Sequence, residues 1–180
     1  THRNIISQLR SIWGRFPLRH REDIALSGLP LAHSFERTIV YYYVSCGIRL
    51  YFADDTRRLG ELLQGVHPHI LTVVPRLLEK VVERMEANAE ASKPLVRFFI
   101  EQAIRYAKTH PPRIISPATP RSYIRSPLHL FFDIVVYRKM RAALGGNLTL
   151  LVCGGAKLAS QTQSFFLNIG LPIGEGYGLT

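Results

Sequence analysis

A chain of 180 residues with 47% hydrophobic content makes one domain, or a large part of one, with a sizeable core, and this composition argues against intrinsic disorder. Its best apolar stretch, 38–48, falls short of the ~18 to 20 residues of a membrane span and contains Ser45 and Gly47, so a soluble chain is expected. The formal charge of +10, from 18 Arg and 5 Lys against 13 acids, predicts attraction to phosphates, nucleotides, anionic lipid or nucleic acid.

Thr1-His2-Arg3-Asn4 has neither the layout of a signal peptide nor a cleavage site, and the chain reads as a segment excised from a longer protein. Residues 23–31 (DIALSGLPL) form a short apolar run, after which Ser34 offers an N-cap to a helix reaching Ser45 and closed by Gly47. Residues 48–53 read as a strand. Asp54 and Asp55 can cap a helix over 56–64 that ends at Gly65, and 70–74 is a β-branched run stopped by Pro75. Strand, helix, strand, helix, strand with connections of this length favours right-handed βαβ units and a mostly parallel sheet flanked by helices, an α/β fold.

Further on, Leu77, Leu78, Val81, Val82 and Met85 recur at helical spacing over 76–90. Leu95, Phe98, Phe99, Ala103 and Tyr106 do the same over 94–110. Residues 111–127 hold five prolines and three arginines without periodicity and read as a loop or linker. A helix over 128–144 runs to Gly145-Gly146-Asn147, followed by a strand at 148–153, a tight turn at Gly154-Gly155-Ala156 and a helix at 160–168. The order implies a first βαβ segment (1–75), a helical stretch (76–147) and a second strand-turn-helix segment (148–180), with no internal repeat.

Residues 148–156 (LTLLVCGGA) form a buried strand that meets two glycines and then a helix, where backbone N–H groups at the carboxyl edge of a sheet face a ligand. Neither GxGxxG nor GxxxxGK[ST] is present. A second glycine-bounded strand end, GEGYGLT at 174–180, follows Pro172-Ile173. Glycine at every second position leaves φ > 0 accessible and lets something flat or charged come close, so Tyr177 has one open face. Together the two ends suit a planar ring between backbone and phenol, with the Thr180 hydroxyl reaching a phosphate.

Other chemistry is less well supplied. His67-Pro-His69 brings two imidazoles near each other without a third ligand, so no metal site is expected, and no nucleophile-base pair points to a hydrolase. Cys46 and Cys153 belong to no paired motif, which fits a reduced, cytosolic setting. The stretch 105–141, with Asp133 as its single acid, keeps a basic membrane-surface or nucleic-acid binding module open as a different class.

Several stretches carry a resemblance. GEGYGLT is similar to the adenine-and-phosphate motif of the adenylate-forming superfamily, specifically the long-chain acyl-CoA synthetases. Thr1-His2-Arg3-Asn4 resembles the residues that follow that family's phosphate loop. LPLAHSFERT (29–38) resembles its mid-domain motif, HPHILTVVPRLLEKV (67–81) its strand-Val-Pro-helix segment, and LLVCGGAKL (150–158) its acyl-contacting turn. The match runs in order along essentially the whole chain and implies part of the N-terminal domain of such an enzyme.

By position, the resemblance implies stacking of Tyr177 on adenine and contact of Thr180 with the α-phosphate. Gly154, Gly155 and Ala156 form a wall shared by adenine and the acyl carboxylate, and Glu175, Gly176 and Gly178 lie in the purine-contacting motif. His33 matches the histidine at the acyl and phosphate end, and Tyr41, with Gly155, is placed in the acyl pocket. Adjacent aromatics on a helix point in different directions, so at least one of Tyr41, Tyr42 and Tyr43 is plain core.

The reaction implied is ATP-dependent activation of a fatty acid to an acyl-adenylate, followed by thioester formation with CoA, with Mg²⁺ as the metal. An acyl-carrier-protein ligase or an amino-acid adenylating domain is the alternative. By this resemblance the phosphate loop precedes Thr1 and the magnesium-associated glutamate follows Thr180. No catalytic residue or metal ligand is then expected in this segment, which alone is inactive and binds ATP weakly or not at all. The partners implied are fatty acid, ATP and CoA, with a basic flank available to an anionic membrane, no nucleic acid, and a cytoplasmic or membrane-peripheral location.

Overall fold

The computed structural model describes residues 2–14, 16, 18–53, 55–110 and 126–176. The Pro-rich stretch up to residue 125, and Tyr177, Gly178 and Thr180, lie outside the described residues.

Among the described residues five short strands form one sheet: β1 (Ile24–Ser27), β2 (Arg49–Phe52), β3 (Ile70–Val73), β4 (Leu150–Gly154) and β5 (Ile173–Gly176). Their order is β2-β1-β3-β4-β5, and every neighbouring pair is parallel. The helices are α1 (His2–Ile12), α2 (Ser34–Ser45), α3 (Leu59–Val66), α4 (Pro75–Glu90), α5 (Pro94–Thr109), α6 (Pro127–Phe132), α7 (Arg138–Ala143) and α8 (Ser160–Asn168). The expected α/β architecture with a parallel sheet is what forms. The two strand-bearing segments join in a single sheet, because β3 lies directly against β4 although the whole helical stretch separates them in the chain.

Both faces of the sheet are covered, which is why β3 and β4 are buried along their entire length. Side chains alternate between two cores. Ala25, Ile70, Leu150 and Val152 meet Ile39, Tyr42, Tyr43 and Cys46 from the α2 side. Leu26, Leu71, Val73, Leu151 and Cys153 face the other way, toward Leu78 and Val82 of α4, Ala103 and Ile104 of α5, and Phe165 and Phe166 of α8. At ~1.5 to 3 kcal/mol for each fully buried large apolar side chain, the second face holds the larger share of the hydrophobic stabilisation.

Four local features depart from the sequence reading. Residues 2–12 form α1, whose Leu9 and Ile12 pack on the α2-side core. The N-cap of α2 is His33, in extended conformation and without a side-chain cap bond, and Ser34 is already helical. The helix expected over 56–64 opens with a 3₁₀ turn, where Asp55 Oδ1 accepts from the Arg57 backbone N–H at 2.8 Å, and α3 passes Gly65 to end at His67 in the left-handed region. The helix expected over 128–144 is interrupted by a π turn, Asp133–Tyr137, in which the Arg138 N–H donates to the Asp133 carbonyl five residues back. That wider turn keeps Phe132, Val136, Tyr137 and Met140 all in the core.

Candidate functional site

In a sheet ordered 2-1-3-4-5, the chain leaves β1 for one edge and β3 for the other, which puts the topological switch point, where open α/β sheets commonly take a ligand, at the carboxyl rim between these two strands. Ser27-Gly28, Val73-Val74, Gly154-Gly155 and Gly176 end the strands along this rim. The first turn of α2 lies across it.

Three side chains of α2 make the contact. The Ser27 hydroxyl on β1 donates to Glu36 Oε1. The Tyr43 phenol and Thr72 Oγ1 on β3 share a hydrogen bond of 3.1 Å. Phe35 reaches further and lays its ring over β4 and β5. A Cβ built on Gly154 would stand 2.6 Å from Phe35 Cζ, and one on Gly176 would stand 2.9 Å from Phe35 Cε2, both closer than real Cβ contacts. Gly174 is similarly occupied by Phe16, whose Cδ1 is 3.1 Å from the Cβ position.

These distances decide the role of the alternating glycines. The sequence reading allows them positive φ and the close approach of something flat; Gly154, Gly174 and Gly176 are strand residues outside the left-handed region that take the second role, while the neighbouring Gly155 has positive φ, at 85°. Absence of a side chain is what matters at the other three, because an aromatic ring fills the space.

Of the predicted site residues, Gly154 and Gly176 are brought together under Phe35, with Gly155 and Ala156 exposed in the turn above β4. His33 is exposed at the start of α2, two residues from Phe35. Tyr41 is eight residues further along α2, about 12 Å of helix, and remains 41% exposed, whereas Tyr42 and Tyr43 are core. Glu175 points to the opposite face of β5 and accepts from Gln163 Nε2 at 3.0 Å. Beside it, burial and then the Glu175 charge push the Cys153 thiol up to about 11. Burial likewise pushes the Glu36 carboxyl up against the opposing effect of the Ser27 bond, and burial also raises the Tyr43 phenol.

Phe35 and Glu36 are the residues the sequence reading misses. The available signal is modest: one aromatic and one acid inside LPLAHSFERT, where neighbouring His33, Ser34 and Arg37 are exposed. The two imidazoles at 67 and 69 serve the backbone instead. His67 Nδ1 pairs with the Gly145 carbonyl at 2.6 Å, and His69 Nδ1 accepts from the Ile24 N–H at 3.0 Å. Among the described residues no three His, Cys, Asp or Glu side chains gather as a metal site.

The model of the AMP-binding enzyme family matches residues 1–180. Long-chain-fatty-acid–CoA ligase FadD15 of Mycobacterium tuberculosis is 33% identical over 183 aligned residues, covering 100% of this chain and 30% of that protein. Long-chain-fatty-acid–CoA ligase 5 of Rattus norvegicus is 32% identical over 189, covering 100% and 25%. The chain thus spans under a third of the length of these relatives. Among solved structures, the adenylation domain of a Mycobacterium chelonae carboxylate reductase matches with a TM-score of 0.65 at 17% identity, over 98% of this chain and 23% of that one. The A-PCP didomain of the Segniliparus rugosus carboxylic acid reductase, in complex with AMP, matches at 0.65 and 21%, over 99% and 21%. At such identities these two likenesses speak for the fold, while the family match extends over every residue: the chain belongs to the AMP-binding enzyme family.

Proposed function

We propose that this chain supplies part of the nucleotide and acyl pocket of an ATP-dependent long-chain fatty acid–CoA ligase, which forms an acyl-adenylate and then a thioester with CoA. The observation that carries the reading is the pair of glycine strand ends, Gly154 and Gly176, lying side by side at the carboxyl rim beneath Phe35. Attack of a carboxylate on the α-phosphorus of ATP displaces pyrophosphate, and the protein contributes mainly by positioning and by neutralising charge.

The backbone of Gly155 and Ala156 forms the wall shared by purine and acyl carboxylate, and Phe35 closes that wall from the α2 side. His33, exposed at the head of α2, serves the acyl and phosphate end. Tyr177 stacks on adenine, Thr180 meets the α-phosphate, and Glu175, Gly176 and Gly178 border the purine. Tyr41 belongs to the acyl side. Charge neutralisation of the leaving pyrophosphate would be supplied by a magnesium ion, which residues other than those described would hold. The 180 residues alone are inactive and bind no ATP at micromolar concentration, which calorimetry checks.

The test of the reading is exchange of pyrophosphate into ATP by the full-length protein, across a panel of acyl lengths and with Tyr177→Ala alongside. Exchange that requires a long-chain fatty acid and collapses in the variant is expected. Exchange supported only by amino acids, or by no carboxylate, overturns it.

A further inference from the structure

The first turn of α2 has an unusual occupant. Counting from the N-cap His33, Glu36 is the third helical residue, the position from which a glutamate commonly turns back to the N-cap backbone N–H. Here it turns inward instead. It is wholly buried and heads the buried stripe Glu36, Ile39, Val40 and Tyr43. Its Oε1 receives the Ser27 hydroxyl, while Oε2, equally buried, has no hydrogen-bond partner among the described residues. Its hydrogen-bond and charge interactions among the described residues are with Ser27 from β1 and Tyr43 from its own helix, and Tyr43 in turn bonds Thr72 from β3. All three are hydroxyls, and no described ion pair brings an Arg or Lys to it.

A bare carboxylate, lacking a cation and using one oxygen, is strongly disfavoured in such a place, whereas a carboxylic acid loses only one hydrogen bond there. We propose that Glu36 is held as the neutral acid and is the positioning residue that fixes the first turn of α2, with His33 and Phe35, over the carboxyl ends of β1, β4 and β5. Burial acts on the carboxyl in the same direction. The assignment rests on the proposed function only in that the wall so positioned serves the acyl-adenylate pocket. Glu36→Gln keeps the shape, the neutrality and an acceptor for Ser27; Glu36→Ala removes the link.

The full-length protein and these two variants separate the possibilities. Infrared difference spectra at neutral pH are expected to show a protonated-carboxyl band that Glu36→Gln removes. A carboxyl raised in the folded state keeps its proton where the unfolded chain, at about pH 4.3, has begun to lose it. Wild-type stability therefore falls as pH rises from there to the folded-state value, and Glu36→Gln flattens that fall. In pyrophosphate exchange, Glu36→Ala is expected to lose on the order of 100-fold in kcat/KM, chiefly through the fatty-acid KM, with Glu36→Gln near wild type. Absence of the band in the wild type, or Glu36→Gln as impaired as Glu36→Ala, overturns the inference. If wild type exchanges with no carboxylate, the proposed function fails, while infrared and unfolding still decide the state of Glu36. If Glu36→Ala does not fold, the wild-type and Glu36→Gln comparison decides alone.

Discussion

Placing one methyl group at Gly154 probes the contact between α2 and the sheet. Gly154 lies outside the left-handed region, and the three atoms nearest an alanine Cβ there all belong to the Phe35 ring, with Cζ at 2.6 Å and Cδ2 at 2.7 Å, where ordinary contact starts near 3.4 Å. The ring also overlies Gly176, where a Cβ would come within 2.9 Å of its Cε2, and the helix behind it is tied down through Glu36. Relief therefore requires a shift of the helix start or an unfavourable rotamer, at a cost of about 1 to 3 kcal/mol. For a chain of this size that is a melting temperature lowered by roughly 2 to 12 °C, read by circular dichroism. In a Phe35→Ala background the space is empty, and the same Gly154→Ala change is expected to cost little, giving a coupling of at least about 1 kcal/mol in a double-mutant cycle. Equal cost in both backgrounds would refute the placement of the ring.

Three further outcomes are expected. Tyr43→Phe removes the bond to buried Thr72 and lowers stability by about 1 to 2 kcal/mol, whereas Tyr43→Phe with Thr72→Val recovers part of it, by chemical denaturation. Arg141 Nη1 donates to Asp133 Oδ1 at 2.6 Å and to the Ile169 carbonyl at 2.7 Å, tying α7 to the π turn and to the end of α8. Arg141→Met is expected to cost about 2 kcal/mol in urea unfolding, less than a fully buried pair because the arginine is partly exposed. The Cys153 thiol, at about 11 against an ordinary 9.0, keeps its proton in the folded chain between those values while the unfolded chain gives it up. Stability therefore declines from pH 9 to 11, Cys153→Ala lessens the decline, and native Cys153 resists alkylation at pH 9 until the chain is unfolded.

The parallel sheet was legible because β1, β3 and β4 lie in short apolar runs ended by a residue that stops them. Pro75, for example, both closes the run 70–74 and opens α4 at its first position. The glycine-flanked strand ends were legible too, and β4 and β5 prove to be neighbours. What the glycines make room for was not. Phe35 and Gly154 are far apart in the chain, and no periodicity links a helix start to a strand end at that distance. Glu36 reads as one more surface acid in a helix, since only tertiary packing buries it. Helix α1 mixes Ile5, Ile6, Leu9 and Ile12 with many polar residues, which hides its pattern. The π turn differs from an α-helix by its hydrogen bonds, which spacing alone does not encode.

The seam between β3 and β4 joins residues such as His69 and Thr149 that are 80 positions apart, with no strand among the described residues in between. A backbone cut anywhere in that connection would divide the sheet into a β2-β1-β3 piece and a β4-β5 piece sharing one parallel ladder. Phe35 would go with the first piece, Gly154 and Gly176 with the second. The candidate pocket wall would then exist only in the reassembled pair, so recovery of the Phe35 environment on mixing the two pieces becomes a concentration-dependent measure of how strongly the two halves of the sheet attract each other.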